Sequence, residues 1–272
     1  MVQIFQASIL GIIQGLTEFL PVSSSGHLIV LPQILGWKGV VNSLGFDVAA
    51  HLGTAVALIV FFWRDWVRLI ISFLAQIPRG FRGIFSDPDA RLLILIIIGS
   101  VPAAVVGVLF KDAIESAFRS VLLVGVWTIS FGLLLWWTDR VSASDRKIKQ
   151  VNFFDSIFVG IAQAIALIPG VSRSGITITA SRSQKFDRSS AVRFSFLLAT
   201  PAVLGAGILS AKDFHAGGNF PIFLSGFIFA TISGILAIKF LLSFVQKHDF
   251  SIFVIYRVLF GIFLIAWALL IK

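Results

Sequence analysis

Apolar residues in this chain come in long runs rather than in one-sided helical stripes. Six runs are long enough to cross a bilayer as α-helices: 46–63, 92–110, 121–137, 194–211, 221–245 and 252–271. Two more apolar stretches, 4–35 and 153–190, are each interrupted near the middle by Pro, Gly, Ser and ionisable residues. Irregular backbone at membrane depth must be buried in protein or line a wet cavity, because lipid offers it no hydrogen-bond partner. The two broken stretches are therefore expected to be re-entrant helical hairpins.

Composition agrees with that pattern. Of 272 residues, 57% are hydrophobic and 13% charged, whereas a soluble domain carries about a quarter charged residues. The class is an all-α integral membrane protein. Trp63, Trp66, Trp136 and Trp137 fall near segment ends, where interfacial aromatics belong. The absence of cysteine excludes thiol catalysis and disulfides. The N-terminus has neither a basic region nor a small-residue cleavage site ahead of the first polar cluster, so no removable signal peptide is expected. The net charge of +9 does not point to nucleic acid, because the cations sit in short loops between spans. Segments 64–91, 138–152, 182–193 and 246–251 hold fourteen of the Lys and Arg residues, and the opposite side holds five. The basic side is expected to be cytoplasmic, with both termini outside.

An internal repeat organises the chain. "GIIQGLTEFLPVSSSGH" (11–27) aligns without a gap on "GIAQAIALIPGVSRSGI" (160–176). Gly11, Gln14, Val22, Ser23, Ser25 and Gly26 match Gly160, Gln163, Val171, Ser172, Ser174 and Gly175. A weaker match follows between 46–57 and 194–205. The expected organisation is one membrane domain over 1–272: a first repeat of about 1–137, a linker 138–152 and a second repeat of about 153–272. Each repeat is one hairpin plus three spans. Three is odd, so the repeats should have inverted topology, with their broken segments meeting near the midplane.

The breaks carry the chemistry. Gln14 and Glu18 are i,i+4 and share a helix face. Pro21 ends that helix, and Ser23, Ser24 and Ser25 suit the cap of the next, whose free N–H groups point at whatever lies there. Ser24 and His27 are i,i+3. In the second break, Ser172 and Ser174 again suit a cap, Arg173 stands between them, and Thr177 lies one turn on. Arginine is the side chain best shaped for bidentate phosphate contact. Intramembrane Glu and Arg are costly enough to be functional by default, whereas a serine run alone is more often capping or packing chemistry. Together these residues make an anion site beside a carboxylate, and so suggest phosphate ester or anhydride chemistry. Ser24 or His27 is the candidate nucleophile, Glu18 the candidate metal ligand, and Arg173 the group acting on developing charge. Asp47 and His51 are read as interfacial or supporting groups, His215 and His248 as loop residues, and Lys239 and Arg257 as snorkelling cations.

At these motifs the chain resembles the undecaprenyl-diphosphatase family, the bacitracin-resistance membrane phosphatases of bacteria, nearly end to end. The likeness rests on the (E/Q)-x-x-x-E motif (Gln14 to Glu18), on "LPVSSSGH", and on "PG-x-S-R-S-x-x-T" (Pro169 to Thr177). It implies hydrolysis of undecaprenyl diphosphate to the monophosphate carrier used in peptidoglycan synthesis. It also implies a divalent cation (Mg or Ca), membrane lipids as surroundings, and a site facing the outer side of the bacterial cytoplasmic membrane. A homodimer is allowed. Glu18, Ser24, His27 and Arg173 fall on the family's functional positions. Gln14, Ser23, Ser25, Ser172, Ser174 and Thr177 are expected to bind substrate phosphate. Many members have Glu where Gln14 stands, and Gln cannot ionise, so schemes needing two carboxylates there do not transfer. The acid-phosphatase-like lipid phosphatases are excluded, since Thr179 occupies the position of their nucleophilic histidine. A secondary transporter or flippase of a lipid phosphate or other anion is the alternative, because broken helices in inverted repeats are a transporter plan. Ser24 with His27 as its base is the preferred reading, direct attack by His27 the second, and a metal-activated water the third.

Overall fold

The computed structural model describes residues 1–118, 120–211 and 219–270. His215 and the cations Arg119, Lys212 and Lys272 lie outside them. The described chain is helical, and six of its helices are long and apolar enough to cross a bilayer. The first broken stretch is α1 (Val2–Phe19) and α2 (Ser24–Ile34); the second is α7 (Phe153–Ile165) and α8 (Arg173–Ser183). The spans are α3 (Leu44–Gln76), α5 (Pro88–Phe118), α6 (Val121–Val141), α9 (Arg188–Ala211), α10 (Phe220–Phe244) and α11 (Ser251–Leu270), with a short α4 (Gly80–Ser86) between α3 and α5.

Helices α6, α10 and α11 match their hydropathy runs within four residues, α9 starts six residues early, α5 ends eight residues late, and α3 departs furthest. It continues a full thirteen residues past the expected end at Trp63 and contains 33 residues. At ~1.5 Å per residue that is about 50 Å, well beyond a bilayer core of about 30 Å. A charge ends an apolar run without ending a helix. Here the helix bends at Phe62 (φ −98°, ψ 15°) and carries Arg64, Asp65 and Arg68 on its extension. Asp65 accepts from Arg68 at 3.0 Å and from Arg193 of α9 at 2.5 Å, and Arg68 reaches Asp89 of α5 at 3.1 Å. The extension is thus tied to two other spans. The α5 start is capped by Asp87, whose carboxylate accepts from the Asp89 and Ala90 amides at 2.9 Å, with Pro88 in the first helical position. Those bonds, led by the one from Ala90, hold the Asp87 carboxyl below its ordinary pKa.

The two halves exchange helices. Helix α1 of the first half packs on α10 of the second, and α7 of the second packs on α5 of the first. Matching glycines make both crossings. A Cβ on Gly11 would meet the Gly226 carbonyl at 2.5 Å, and one on Gly160 would meet the Gly99 backbone. Such close backbone approach is how helices associate where lipid removes the hydrophobic drive.

Residues 138–152 were expected to be a linker, and they are fastened to the second half. Asp139 accepts from Arg182 at 2.8 Å and from Arg188 at 3.0 Å, and Arg146 pairs with Asp155. Arg182 is 1% exposed and donates also to the carbonyls of Ser142, Ala143 and Phe186. Its charge is buried but fully partnered, which is the condition for burying one at tolerable cost.

Candidate active site

Both helix breaks have the same backbone. Ser23 (φ 73°, ψ 92°) and Ser172 (φ 72°, ψ 112°) occupy matched positions just before α2 and α8. Non-glycine residues at positive φ cost ~1–3 kcal/mol and persist only where the surroundings force them. The surroundings here are the opposite break. The Gly170 amide donates to Ser25 Oγ at 3.2 Å, and Ser174 Oγ donates to the Leu20 carbonyl at 3.2 Å. Each hairpin therefore fills the other's unsatisfied backbone, and the N-termini of α2 and α8 meet.

Glu18 is the centre of the polar cluster. It ends α1, is 9% exposed, and is reached from four elements. Ser24 Oγ, from α2, donates to Oε2 at 2.6 Å. Gln14 Nε2, one turn back, donates to Oε2 at 3.0 Å. Arg173, from α8, pairs with Oε1. His51 of α3 brings Nε2 to 3.9 Å from Oε2, while its Nδ1 lies 2.7 Å from the Asp47 carbonyl. Hydroxyl, carboxylate and guanidinium thus converge from both halves of the chain. His51, read from the sequence as a supporting group, belongs to this cluster, and nothing in its local sequence says so: α3 brings it there.

His27 lies one turn beyond Ser24, but the two are not hydrogen-bonded. Nδ1 of His27 is 2.7 Å from the Ser23 carbonyl, and Nε2 is 2.5 Å from the Tyr256 hydroxyl on α11. The ring stacks on Phe260, with centroids 4.1 Å apart and planes at 13°. Spacing alone allowed a Ser24–His27 pair; α11 engages the imidazole instead. The other hydroxyls act mainly between and within the hairpins. Ser23 and Ser25 Oγ are 3.3 Å apart, as are those of Ser172 and Ser174. Thr177 is fully buried, with its hydroxyl 2.7 Å from the Arg173 carbonyl and 2.6 Å from Ser195.

The caps differ in one useful way. Ser172 accepts from the Gly175 amide and so caps α8, whereas Ser23 makes no such bond to α2. The first turn of α2 therefore lacks this side-chain cap, and an anion is the usual ligand for a free helix N-terminus.

Arg257 overturns one expectation. Rather than snorkelling, it is fully buried and donates to the Thr128, Gly170 and Val171 carbonyls at 2.9, 3.1 and 2.9 Å. It satisfies the carbonyls freed by the second break, which a lipid environment could not do. Its Nη1 has no hydrogen-bond partner among the described residues. Lys239 is exposed. The sequence signal for Arg257 was its place in an apolar run, but what it binds lies 86, 87 and 129 residues away.

Two broken helices that carry a hydroxyl, a carboxylate and a guanidinium to one buried point define a multi-pass membrane protein with an intramembrane polar centre. The chain belongs to the bacitracin resistance protein BacA family, whose model matches residues 7–263. It is similar to an undecaprenyl-diphosphatase of Thermodesulfovibrio yellowstonii, 46% identical over 259 residues that cover 94% of this chain and 93% of the relative. Undecaprenyl-diphosphatases of Desulforudis audaxviator (44%, covering 98% of both chains) and Gemmatimonas aurantiaca (45%, covering 97% of both) align over nearly the same length.

Proposed function

We propose that this protein hydrolyses undecaprenyl diphosphate to undecaprenyl phosphate and inorganic phosphate, recycling the lipid carrier of peptidoglycan synthesis and so conferring bacitracin resistance. The observation that carries the reading is the bond from Ser24 to Glu18, made where Arg173 also meets that carboxylate. A serine hydroxyl is a weak nucleophile unless a base takes its proton. Glu18 is the base in reach, since both ring nitrogens of His27 are engaged elsewhere.

In this scheme Ser24 Oγ attacks the terminal phosphorus, Glu18 takes its proton, and the anhydride bond breaks to release undecaprenyl phosphate. Water then attacks the phosphoserine, Glu18 returns the proton to Ser24, and inorganic phosphate leaves. Arg173 and the uncapped amides of α2 take the charge on the phosphate oxygens. Arg173 gives up part of its contact with Glu18 to do so, which leaves the carboxylate freer as a base. His27 fixes the first turn of α2 through the Ser23 carbonyl.

A divalent cation belongs to the proposal. Among the described residues no three His, Asp or Glu side chains cluster, so its donors would be few. Glu18 would hold it together with Gln14 Oε1, a buried amide oxygen without a hydrogen-bond partner among the described residues. Such a donor set fits a hard cation that keeps most of its bonds for phosphate and water. When bound, the cation would neutralise diphosphate charge.

The repeats are inverted, both termini face outward, and the site opens to the outer side of the bacterial cytoplasmic membrane. The loop cations support this orientation. An impermeant thiol reagent added outside should label His215→Cys and spare Ser86→Cys and Asp145→Cys; the opposite pattern reverses the topology. The broken helices also suit a transporter. Phosphate release by the protein in detergent, where no second compartment exists, decides between them. The wild type should release phosphate and Ser24→Ala should not.

A further inference from the structure

An isoprenoid diphosphate is two ligands in one. Its headgroup belongs with Glu18, Ser24 and Arg173, and its tail must leave that polar cluster along an apolar surface. His27 marks where such a surface begins. The imidazole is stacked between the polar break and α11, against Phe260 and, at 5.7 Å between centroids, Tyr256. From there the aromatic contacts continue along one stripe of α11. Tyr256 stacks with Phe260 at 5.9 Å, Phe260 with Phe263 at 6.5 Å, and Phe263 with Trp267 at 6.3 Å. The spacing of four, three and four residues puts all four rings on one face.

The stripe is open on one side and walled on the other. Tyr256 and Phe263 are 44% and 45% exposed. Phe260 and Trp267 are partly buried with Ile29 and Ile34 of α2 against Val30, Val124 and Leu264. Helix α2 therefore forms the far wall, beginning at the catalytic break itself. An interfacial aromatic belt does not account for this arrangement. From Tyr256 to Trp267 the helix rises about 16 Å, half of a hydrocarbon core, whereas a belt gathers at headgroup level.

We infer that the seam between α2 and the aromatic stripe of α11 is the binding track for the isoprenoid tail of the substrate. The inference rests on the lipid-diphosphate reading above and adds where the lipid lies. The tail exchanges membrane lipid for protein, both apolar, so the gain comes from packing rather than from leaving water. Each ring therefore contributes modestly. The larger consequence is orientation, since a tail held in the seam delivers its headgroup past His27 to Ser24.

The test compares tail lengths. The solubilised protein is assayed on undecaprenyl diphosphate and on geranyl diphosphate, whose tail is too short to span the stripe. Phe263→Ala and Trp267→Ala should each raise KM for the long substrate by roughly threefold to tenfold relative to the short one. Ile255→Ala and Ile262→Ala, on the flank of α11, should leave that ratio unchanged. An equal rise for both substrates, or no rise for either, overturns the track. If the unaltered protein hydrolyses neither substrate, the phosphatase reading falls and takes the track with it. A photoreactive benzoylphenylalanine at position 263 gives a second readout that needs no activity. It should form an adduct with undecaprenyl diphosphate. Adducts with a second copy of the chain, or with detergent and bulk lipid alone, name another occupant and reject the inference.

Discussion

The first hairpin, α1–α2, and the second, α7–α8, are built on one plan and do different work. Both have a glycine at the helix crossing, a buried glutamine one turn before the break, and a serine forced into positive φ. They differ where side chains face the junction. Glu18, Ser24 and His27 of the first stand where the second has Leu167, Arg173 and Ile176. The repeat supplies a scaffold that holds two helix N-termini together. In the proposed reaction the departures from it supply a base and a nucleophile from the first hairpin and a cation from the second, so neither hairpin alone would have a complete reaction centre.

The glutamines sharpen the point. Gln14 donates to Glu18, but Gln163 meets no carboxylate, and both its side-chain polar atoms are without partners among the described residues. In the proposed reaction the same residue type serves the site in one hairpin and not in the other.

The largest expected effect is on the reacting groups of the first hairpin. Ser24→Ala should lower turnover by at least ~10³-fold with the fold intact, and Glu18→Gln should come close to it. Turnover by Ser24→Ala near that of the wild type would make the serine a phosphate ligand only. Next comes the second hairpin's contribution. Arg173→Lys keeps the charge but loses the planar fork, and kcat should fall by ~10²–10³. Activity near normal in steady-state assays would dissolve the claim that the second hairpin completes the site.

Smaller effects separate the two glutamines. Gln14→Leu removes a hydrogen bond to a charged group and should cost about tenfold in kcat/KM. Gln163→Leu should leave kcat/KM unchanged and hold or raise the thermal midpoint, because an apolar replacement relieves a buried amide without partners. Equal losses in both would mean that the halves are functionally equivalent. The smallest change is Gln14→Glu, which restores a second carboxylate beside Glu18. It should keep most activity and shift the pH optimum or the metal preference; an unchanged profile places the new carboxyl outside the reaction.

The scaffold was more legible in the sequence than the site. Apolar runs report bilayer length directly, and the gapless match of 11–27 on 160–176 exposed the repeat, because both are local patterns. The long α3 was hidden because charge and helix end are different things, and its extension is held by ion pairs of Arg68 with Asp89 and of Asp65 with Arg193, which are distant in sequence. Glu18, Ser24 and Arg173 were legible as costly or clustered groups in a break. Their bonds were not: the one from Ser24 to Glu18 depends on how the chain turns between α1 and α2, and the pair of Arg173 with Glu18 joins the two halves. The i,i+3 spacing allows a Ser24–His27 pair, but Tyr256, 229 residues on, engages the imidazole. Tyr256 and Phe260 carry no local signal in the last span, and Arg257 reads there as a snorkelling cation. Only packing of α11 against both breaks gives them their roles.

The most direct test of the two-hairpin account is to identify the phosphorylated residue. Solubilised protein is mixed with undecaprenyl diphosphate labelled in its terminal phosphate, quenched within one turnover, and mapped by peptide. The account predicts label on Ser24 in the wild type, none in Ser24→Ala, and slower labelling in Arg173→Lys. Label on His27, or full turnover with no protein-bound phosphate at any time, would contradict it.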